Sequence, residues 1–193
     1  MRILLIGPPG SGKGTQAVRI GQHFGIDHIS SGDLLRRHVS DDTAIGRQVA
    51  PLLARGDLVP DGVVMDVLRK PVETASRQGG YVLDGFPRTV AQAEAAYLVA
   101  KEIRAWVQVA LYLHVPREQL IERMLARGAA SGRADDNLGV ITHRQDVFEE
   151  LTPPLLAYYA DRETLITIDG SKTVDEVTAT ALAELDRVRP TLG

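Results

Sequence analysis

The sequence predicts an α/β protein in which a doubly wound parallel sheet carries helices on both faces. Short apolar runs of strand length recur along the chain, for example RILLI at 2–6 and WVQVALYLHV at 106–115. Longer segments with apolar residues at helical spacing separate these runs, and this alternation is typical of parallel sheets. A glycine-rich segment at 7–14 follows the first run directly and predicts a tight strand-to-helix turn.

Each strand is predicted from a short apolar run between turn signals. The runs are RILLI at 2–6, HIS at 28–30, GGYVLDGFPR at 79–88, WVQVALYLHV at 106–115 and TLITID at 164–169. In open parallel sheets, ligands bind beyond the carboxyl ends of the strands. We therefore expect functional groups around the residues that end or follow these strands, namely Gly7, Ser31, Asp84 and Gly170.

Helices are predicted where apolar residues recur every three or four positions between a capping residue and a glycine or proline. Ala17 and Ile20 share one face of the first helix, and Gly25 ends it. Ser30 or Ser31 can cap the second helix. The predicted helices span residues 15–24, 31–39, 41–55, 61–70, 89–104, 116–127, 137–151 and 173–189.

Prolines are expected to limit several helices, because proline removes a backbone donor and clashes with the preceding turn. Pro71 should end the helix that precedes it, and Pro153–Pro154 should interrupt another. Pro116 instead stands at a first helical turn, where proline is tolerated. Residues 128–137, GAASGRADDN, have the small and polar composition of a loop.

The composition favours one compact domain, residues 1–193, and argues against several classes of protein. The formal net charge of −3 provides no general attraction to nucleic acid or to an anionic membrane. Cysteine is absent, which rules out disulfides and cysteine-ligated zinc and fits a reducing compartment. No apolar run approaches the length of a membrane span, and RILLI is too short for a signal peptide. We therefore expect a cytoplasmic protein without nucleic-acid or membrane partners.

The segment from Gly7 to Lys13 fits the phosphate-binding pattern G-x-x-x-x-G-K between a strand and a helix. Glycines let successive backbone N–H groups turn toward an anion, and the helix N-terminus adds its dipole. Lys13 would place a positive charge against the β and γ phosphates of a nucleotide. Gly14 follows the lysine where the general pattern has Ser or Thr, and the hydroxyl comes one residue later, at Thr15. The alternative interpretation is an ordinary flexible turn.

Several segments resemble the adenylate kinase family, in the order and spacing of that family. Its P-loop has the form G-x-P-G-x-G-K-G-T, so the Gly14–Thr15 ending is normal there. The segments are GPPGSGKGTQ at 7–16, ISSGDLLRR at 29–37, GDLVPD at 56–61, VLDGFPRTVAQA at 82–93, and SGRADDN at 131–137 with Arg144. The resemblance covers nearly the whole chain.

The resemblance implies a five-stranded P-loop domain with a helical nucleoside monophosphate-binding insertion at 30–59 and a short lid at 126–136. It implies Mg²⁺-dependent, reversible phosphoryl transfer from ATP to AMP by a monomer. The implied ATP-binding residues are Gly10, Ser11, Gly12, Lys13, Gly14, Thr15, Arg123, Arg127 and Lys172. The implied AMP-binding residues are Ser31, Arg36, Asp57, Leu58, Val59, Gly85, Phe86, Pro87, Arg88, Gln92, Arg133 and Arg144. Some family members hold zinc in a longer lid; this lid lacks both the length and the cysteines, so we expect no zinc.

Phosphoryl transfer brings several negative charges together, so it needs fixed cations in a pocket that excludes water. Asp84 ends a strand near the P-loop and, by resemblance, orients water on a Mg²⁺ ion that phosphates and waters hold. Arg123 and Arg127 lie one turn apart and border the apolar stripe of their helix. The candidate catalytic residues are Lys13, Asp84, Arg88, Arg127, Arg133 and Arg144.

Gln92 bears most directly on the choice of acceptor. It lies one helical turn after Arg88, and an amide can pair with both a donor and an acceptor on adenine. In the similar UMP/CMP kinases, asparagine occupies the positions of Thr89 and Gln92. These two residues therefore favour AMP.

Several alternatives remain open from the sequence alone. A UMP/CMP kinase or another nucleoside monophosphate kinase would keep most of the motifs. A nucleotide sensor would bind ATP without turnover and should lack the set of cations, and an ATPase would hydrolyse ATP without AMP. Among single residues, Arg36 could be a surface arginine beside Arg37, Arg123 could lie on a solvated helix face, and Asp84 could belong to a turn.

Overall fold

The computed structural model describes residues 1–131 and 137–191 and confirms the predicted α/β fold. The strands are β1 (Arg2–Ile6), β2 (Asp27–Ser30), β3 (Tyr81–Asp84), β4 (Val109–His114) and β5 (Leu165–Asp169). They form one parallel sheet in the order β2-β3-β1-β4-β5. β3 is shorter than the predicted run because Gly80 and Gly85, which flank it, have positive φ angles.

Eight helices connect and cover the strands within the described ranges. They are α1 (Lys13–Phe24), α2 (Ser31–Ser40), α3 (Ala44–Arg55), α4 (Asp61–Arg77), α5 (Val90–Glu102), α6 (Arg117–Ser131), α7 (Leu138–Ala160) and α8 (Val174–Val188), and a short 3-10 turn follows at Arg189–Thr191. None of the helices in residues 1–131 and 137–191 combines the length and apolar character needed to cross a bilayer.

The sheet separates two hydrophobic cores, and alternate side chains of β1 enter them. Leu4 and Ile6 belong to a core formed with α2, α3, α4, α5 and α7. Ile3 and Leu5 belong to a core formed with α1 and α8. All four side chains are buried, and each such burial contributes about 1.5–3 kcal/mol. Helices therefore cover both faces of the sheet, as the sequence predicts.

The strand register brings the predicted functional residues to one edge of the sheet. Leu5 of β1 and Ser30 of β2 both pair with Asp84 of β3. Gly7 and Ser31 follow these two strands directly, so they lie at the same edge as Asp84. This edge is where a parallel sheet of this kind binds its ligands.

Side-chain caps fix where several helices begin. Ser30 Oγ accepts a hydrogen bond from Asp33 N and caps α2, as predicted. The same device opens α3, α5, α7 and α8, with the capping residues Thr43, Thr89, Asn137 and Thr173. Each such cap is typically worth about 1 kcal/mol.

The predicted effect of Pro71 and of Pro153–Pro154 is wrong, whereas Pro116 directly precedes α6 as predicted. Pro71 lies inside α4, and Pro153 and Pro154 lie inside α7. An internal proline costs about 3 kcal/mol, but both helices carry buried residues beyond their prolines. Ala75 and Leu155 are each 1% exposed. Packing of the helix against the core therefore outweighs the local preference of proline.

Two helix ends also differ from the prediction. α6 continues to Ser131, so residues 128–131 are helical and not part of a loop. α3 begins at Ala44 rather than at Asp41. Asp42 has a φ angle of 48°, a left-handed conformation in which a right-handed helix cannot continue.

Candidate active site

The P-loop joins β1 to α1 with a backbone that only glycine adopts readily. Gly10 and Gly12 have φ angles of 86° and 90°. A Cβ on Gly10 would lie 2.8 Å from Met124 Cγ, so the loop packs closely on α6. Gly12 precedes α1 without a side-chain cap. The first-turn N–H groups of α1 therefore need an outside partner, which a phosphate supplies.

Ser11 contributes to this loop through its backbone. Its side chain is 3% exposed and does not line the cleft, and its Oγ makes no hydrogen bond within the described residues. A Cβ on Gly7 would approach that Oγ to 2.7 Å, so the hydroxyl packs beneath the loop. The N–H of Ser11 donates to Pro8 O at 3.1 Å, so a main-chain contact of Ser11 with ATP would have to share or replace this bond.

Lys13 lies over the loop and in a strongly cationic environment. Its Nζ donates to the carbonyl oxygens of Gly7 and Pro8, at 2.7 and 3.0 Å. Desolvation lowers the pKa of Lys13 to about 8, the charge of Asp84 opposes this shift, and nearby arginines add to it. A bound anion would raise the pKa of Lys13 again, because it stabilises the charged form.

A cleft of about 460 Å³ lies between the P-loop, the strand ends and α7. The cations that line it come from distant parts of the chain: Lys13, Arg36, Arg88, Arg123, Arg127 and Arg144. Two carboxylates, Asp33 and Asp84, oppose them among the described residues. This excess of positive charge fits a polyanion such as a nucleotide phosphate chain. Arg133, the remaining predicted cation, lies outside the described residues.

Arg88 follows the cis Phe86–Pro87 peptide, and its Nε donates to Gly85 O at 3.0 Å. Desolvation in the cleft lowers the pKa of Arg88 to about 10. The charge of Arg144 lowers the pKa further, and Asp84 opposes the shift. A poorly hydrated guanidinium close to other cations is a strong site for a phosphate.

A smaller cavity of about 50 Å³ adjoins the cleft and shares Arg36, Arg88 and Arg144 with it. Most of the other predicted AMP residues line it: Ser31, Asp57, Leu58, Val59, Gly85, Phe86 and Gln92. Pro87 lines the larger cleft instead. A volume of this size holds only a few water molecules. We therefore expect the walls of this cavity to move apart when a nucleotide enters.

Gln92 is buried, and both ends of its amide are held. Its Oε1 accepts from Arg88 N at 2.7 Å, and its Nε2 donates to Asp61 Oδ1 at 2.6 Å. One N–H and one oxygen lone pair of the amide remain for a base. The sequence analysis did not identify Asp61 as a partner of Gln92. Its position could have indicated a role, because Asp61 is the last residue of the GDLVPD segment and the first residue of α4.

Arg123 has backbone partners that the sequence did not reveal. Its two Nη atoms donate to Gly170 O and Ser171 O, at 3.0 and 3.3 Å. These bonds connect α6 to the loop after β5. Arg123 therefore does not lie on a freely solvated helix face. Lys172, in the same loop, is exposed and is not among the described residues that line the cleft. A contact of Lys172 with ATP would therefore involve its backbone.

Asp84 ends β3 at the edge of the cleft, half-buried. Its Oδ2 lies 4.0 Å from His28 Nε2, and a Cβ on Gly14 would lie 3.8 Å from the same oxygen. Within residues 1–131 and 137–191, no cluster of three or more His, Cys, Asp or Glu could hold a metal by itself. A single carboxylate beside a phosphate-binding loop fits a Mg²⁺ ion whose other ligands are phosphate oxygens and water.

Known proteins resemble this chain along most of its length. The family model described as adenylate kinase matches residues 5–164. The adenylate kinase of Thermus thermophilus is 42% identical over 191 residues, which cover 99% of this chain and 96% of the relative. The chain belongs to the adenylate kinase family.

Other members of the adenylate kinase family match equally completely. The adenylate kinase of Kocuria rhizophila is 40% identical over 186 residues, which cover 96% of this chain and 99% of the relative. The adenylate kinase of Xanthomonas oryzae pv. oryzae is 40% identical over 193 residues, the full length of both chains. Family membership confirms the predicted fold family and the predicted phosphotransferase class. It does not favour the UMP/CMP kinase alternative.

Proposed function

We propose that the protein catalyses the reversible transfer of the terminal phosphoryl group of Mg·ATP to AMP, giving two molecules of ADP. The observation that carries this proposal is the pair of adjoining cavities, which share Arg36, Arg88 and Arg144. Two nucleotides bound in these cavities would meet with their phosphates at the shared arginines. The full-length similarity to adenylate kinases supports AMP as the acceptor.

On the ATP side, the backbone of the P-loop would hold the phosphate chain. The first turn of α1 has no side-chain cap, and Lys13 Nζ lies at the carbonyl oxygens of Gly7 and Pro8 in the same loop. Arg123 and Arg127 line the large cleft but not the small cavity, which supports their assignment to ATP. The backbone at Lys172 would border the ATP base.

On the AMP side, the small cavity would hold the nucleoside. Ser31, Leu58 and Val59 would lie against the base and ribose, and the free N–H and oxygen lone pair of Gln92 would pair with adenine. Arg36 would bind the AMP phosphate. Its present ion pair with Asp33, at 2.5 Å, is half-exposed and therefore weak enough for a phosphate to replace it.

The chemical step is an in-line attack of an AMP phosphate oxygen on the γ phosphorus of ATP. The new bond joins this oxygen to the γ phosphorus, and the bond to the β,γ-bridging oxygen breaks, so that ADP leaves. No side-chain base is needed, because the attacking phosphate oxygen is already ionised. The side chains that stabilise the charge of the transition state are Lys13, Arg88, Arg127 and Arg144, with Arg133 added by resemblance.

A bound Mg²⁺ ion would neutralise part of the charge on the β and γ phosphates. Asp84 would orient water in the coordination sphere of that ion, and no zinc is required. Residues 30–59 would form the AMP-binding insertion and residues 126–136 the lid. Their closure over both nucleotides would exclude water, which would otherwise hydrolyse ATP.

We further propose that the protein acts as a monomer in the cytoplasm and serves adenine nucleotide homeostasis. A monomer is the form that the resemblance to this family implies. The negative net charge supports the absence of nucleic-acid and membrane partners.

A panel of acceptors tests the proposed reaction. Purified protein is given Mg·ATP with AMP, CMP, UMP or GMP, and formation of the diphosphate is followed in a coupled assay. AMP should be the preferred acceptor. Strong use of UMP with weak use of AMP would instead identify a UMP/CMP kinase. Hydrolysis of ATP without any acceptor would identify an ATPase, and binding without turnover a sensor.

A further inference from the structure

We infer that His143 is a positioning residue for the AMP side of the site, since its bond to Asp57 fastens the wall of the AMP cavity to the helix that carries Arg144. The inference rests on the proposed function and adds to it a residue outside the cavity-lining set. His143 is not among the described residues that line the two cavities. It would therefore affect a bound nucleotide only through Asp57.

The bond joins parts of the chain that are far apart in sequence. His143 Nε2 on α7 lies 3.1 Å from Asp57 Oδ1, a separation of 86 residues along the chain. The other carboxylate oxygen, Asp57 Oδ2, accepts from Arg55 Nε at 2.8 Å. The hydrogen bond from Arg55 lowers the pKa of Asp57, desolvation opposes this, and the bond from His143 adds to the lowering. Asp57 is therefore an ionised bridge between the end of α3 and α7.

Backbone packing places this bridge beside a catalytic candidate. Gly56 has a φ angle of 78° and rests on the helix turn that carries His143. A Cβ there would lie 2.7 Å from Arg144 Cγ and 3.0 Å from Val140 Cγ1. Gly56 and Leu58, the neighbours of Asp57, line both the AMP cavity and the cleft. Holding Asp57 against α7 therefore holds the cavity wall against Arg144.

Charged side chains adjoin the bond on both elements. Arg55, at the end of α3, donates to the other carboxylate oxygen of Asp57, and Arg144 follows His143 directly on α7. The bond therefore lies where the turn after α3 meets the helix that carries a catalytic candidate.

The expected effect is moderate, because the side chains are partly exposed, 47% for His143 and 34% for Asp57. Pairs of this kind change an equilibrium by a factor of about two to five. In His143→Ala, the KM for AMP should rise by about two- to five-fold. The KM for ATP and kcat should stay near the wild-type values. His143→Lys, which keeps a hydrogen-bond donor opposite Asp57, should restore the low KM.

Matched variants separate positioning from a general loss of stability. Asp57→Asn should raise the KM for AMP as His143→Ala does, and the double variant should add nothing further. His23 provides the control, because its Nε2 lies 3.5 Å from Asp186 Oδ2 in a similarly exposed pair between α1 and α8. His23→Ala should leave the KM for AMP unchanged.

Two results would overturn the inference. One is an unchanged KM for AMP in His143→Ala while the wild-type protein phosphorylates AMP, and the proposed function would survive this result. The other is equal hydrogen exchange of the amides at 56–59 in His143→Ala and wild type, where we expect faster exchange in the variant. This measurement does not depend on turnover, so it would refute the fastening even if AMP proved not to be the acceptor.

Discussion

The proposed ATP side and the proposed AMP side of the site are assembled in different ways. The ATP side is centred on one continuous stretch, residues 7–15, whose shape is set by glycine backbone angles and by contact with α6. The AMP side is drawn from α2, the turn at 56–59, residues 85–92 and α7. A phosphate cradle can therefore be specified locally, whereas the acceptor pocket exists only once distant segments have packed together.

The two sides also differ in what holds their cations. Lys13 is fixed by carbonyl oxygens of its own loop. Arg36 is instead held by a half-exposed ion pair with Asp33. The turn at Asp57 is held by an ion pair with Arg55 and a hydrogen bond with His143. Such pairs are weak and exchangeable. We therefore expect substitutions on the ATP side to reduce the rate of transfer, and substitutions on the AMP side to change the affinity and choice of acceptor.

Lys13→Met should have the greatest consequence. The substitution removes the charge that we propose to stabilise the transferring phosphoryl group, so kcat should fall by about a thousand-fold. The melting temperature should change by no more than about 4 °C, because methionine keeps the apolar part of the side chain. Lys101→Met, on the exposed last turn of α5, is the control and should behave as wild type. Unchanged turnover in Lys13→Met would remove the P-loop assignment.

Arg36→Ala should act on AMP alone. Loss of a charge-assisted contact to phosphate is worth about 1.5–3 kcal/mol, so the KM for AMP should rise by about 10- to 100-fold. The KM for ATP should change little. Arg37 is exposed and is not among the described residues that line either cavity, so Arg37→Ala is a matched control. Equal effects of the two substitutions would show that Arg36 is an ordinary surface arginine.

Gln92→Ala should relax base selection more than it slows phosphate chemistry. Without the amide, the preference for AMP over CMP, measured as the ratio of kcat/KM values, should fall by about ten-fold. Gln78→Ala, at the exposed end of α4, should leave the ratio unaltered. The role of Gln92 in reading adenine fails if discrimination between AMP and CMP is the same in the variant and the wild type.

Protonation of Lys13 gives the most delicate test. The pKa of Lys13 is about 8 in the free protein, so much of this side chain is neutral at pH 8.5. Because bound ATP would favour the charged form, its binding at this pH should take up roughly half a proton or more. Calorimetry in two buffers of different ionisation enthalpy measures this uptake, which should vanish in Lys13→Met.

The same pKa affects stability. In the absence of ATP, the unfolded chain binds more protons than the folded one above pH 8. Lys13 therefore makes the free energy of unfolding rise with pH between about 8 and 10.5.

Local signals in the sequence predicted much of this protein. The G-x-x-x-x-G-K spacing, the cap at Ser30 or Ser31 and the apolar runs act over a few residues, so they can be read without a structure. The predicted breaks at Pro71 and Pro153–Pro154 failed because burial against the core, which depends on the whole chain, outweighs the cost of proline.

The chain by itself determined the order of strands and helices, the phosphate-binding loop and the resemblance to one family, because each depends on residue type and spacing. Tertiary packing alone decided that Asp61 holds Gln92, that Arg123 bonds to the loop after β5, and that His143 reaches Asp57. These contacts join segments between 31 and 86 residues apart. Their partners are selected by the fold in three dimensions, and no local pattern records them.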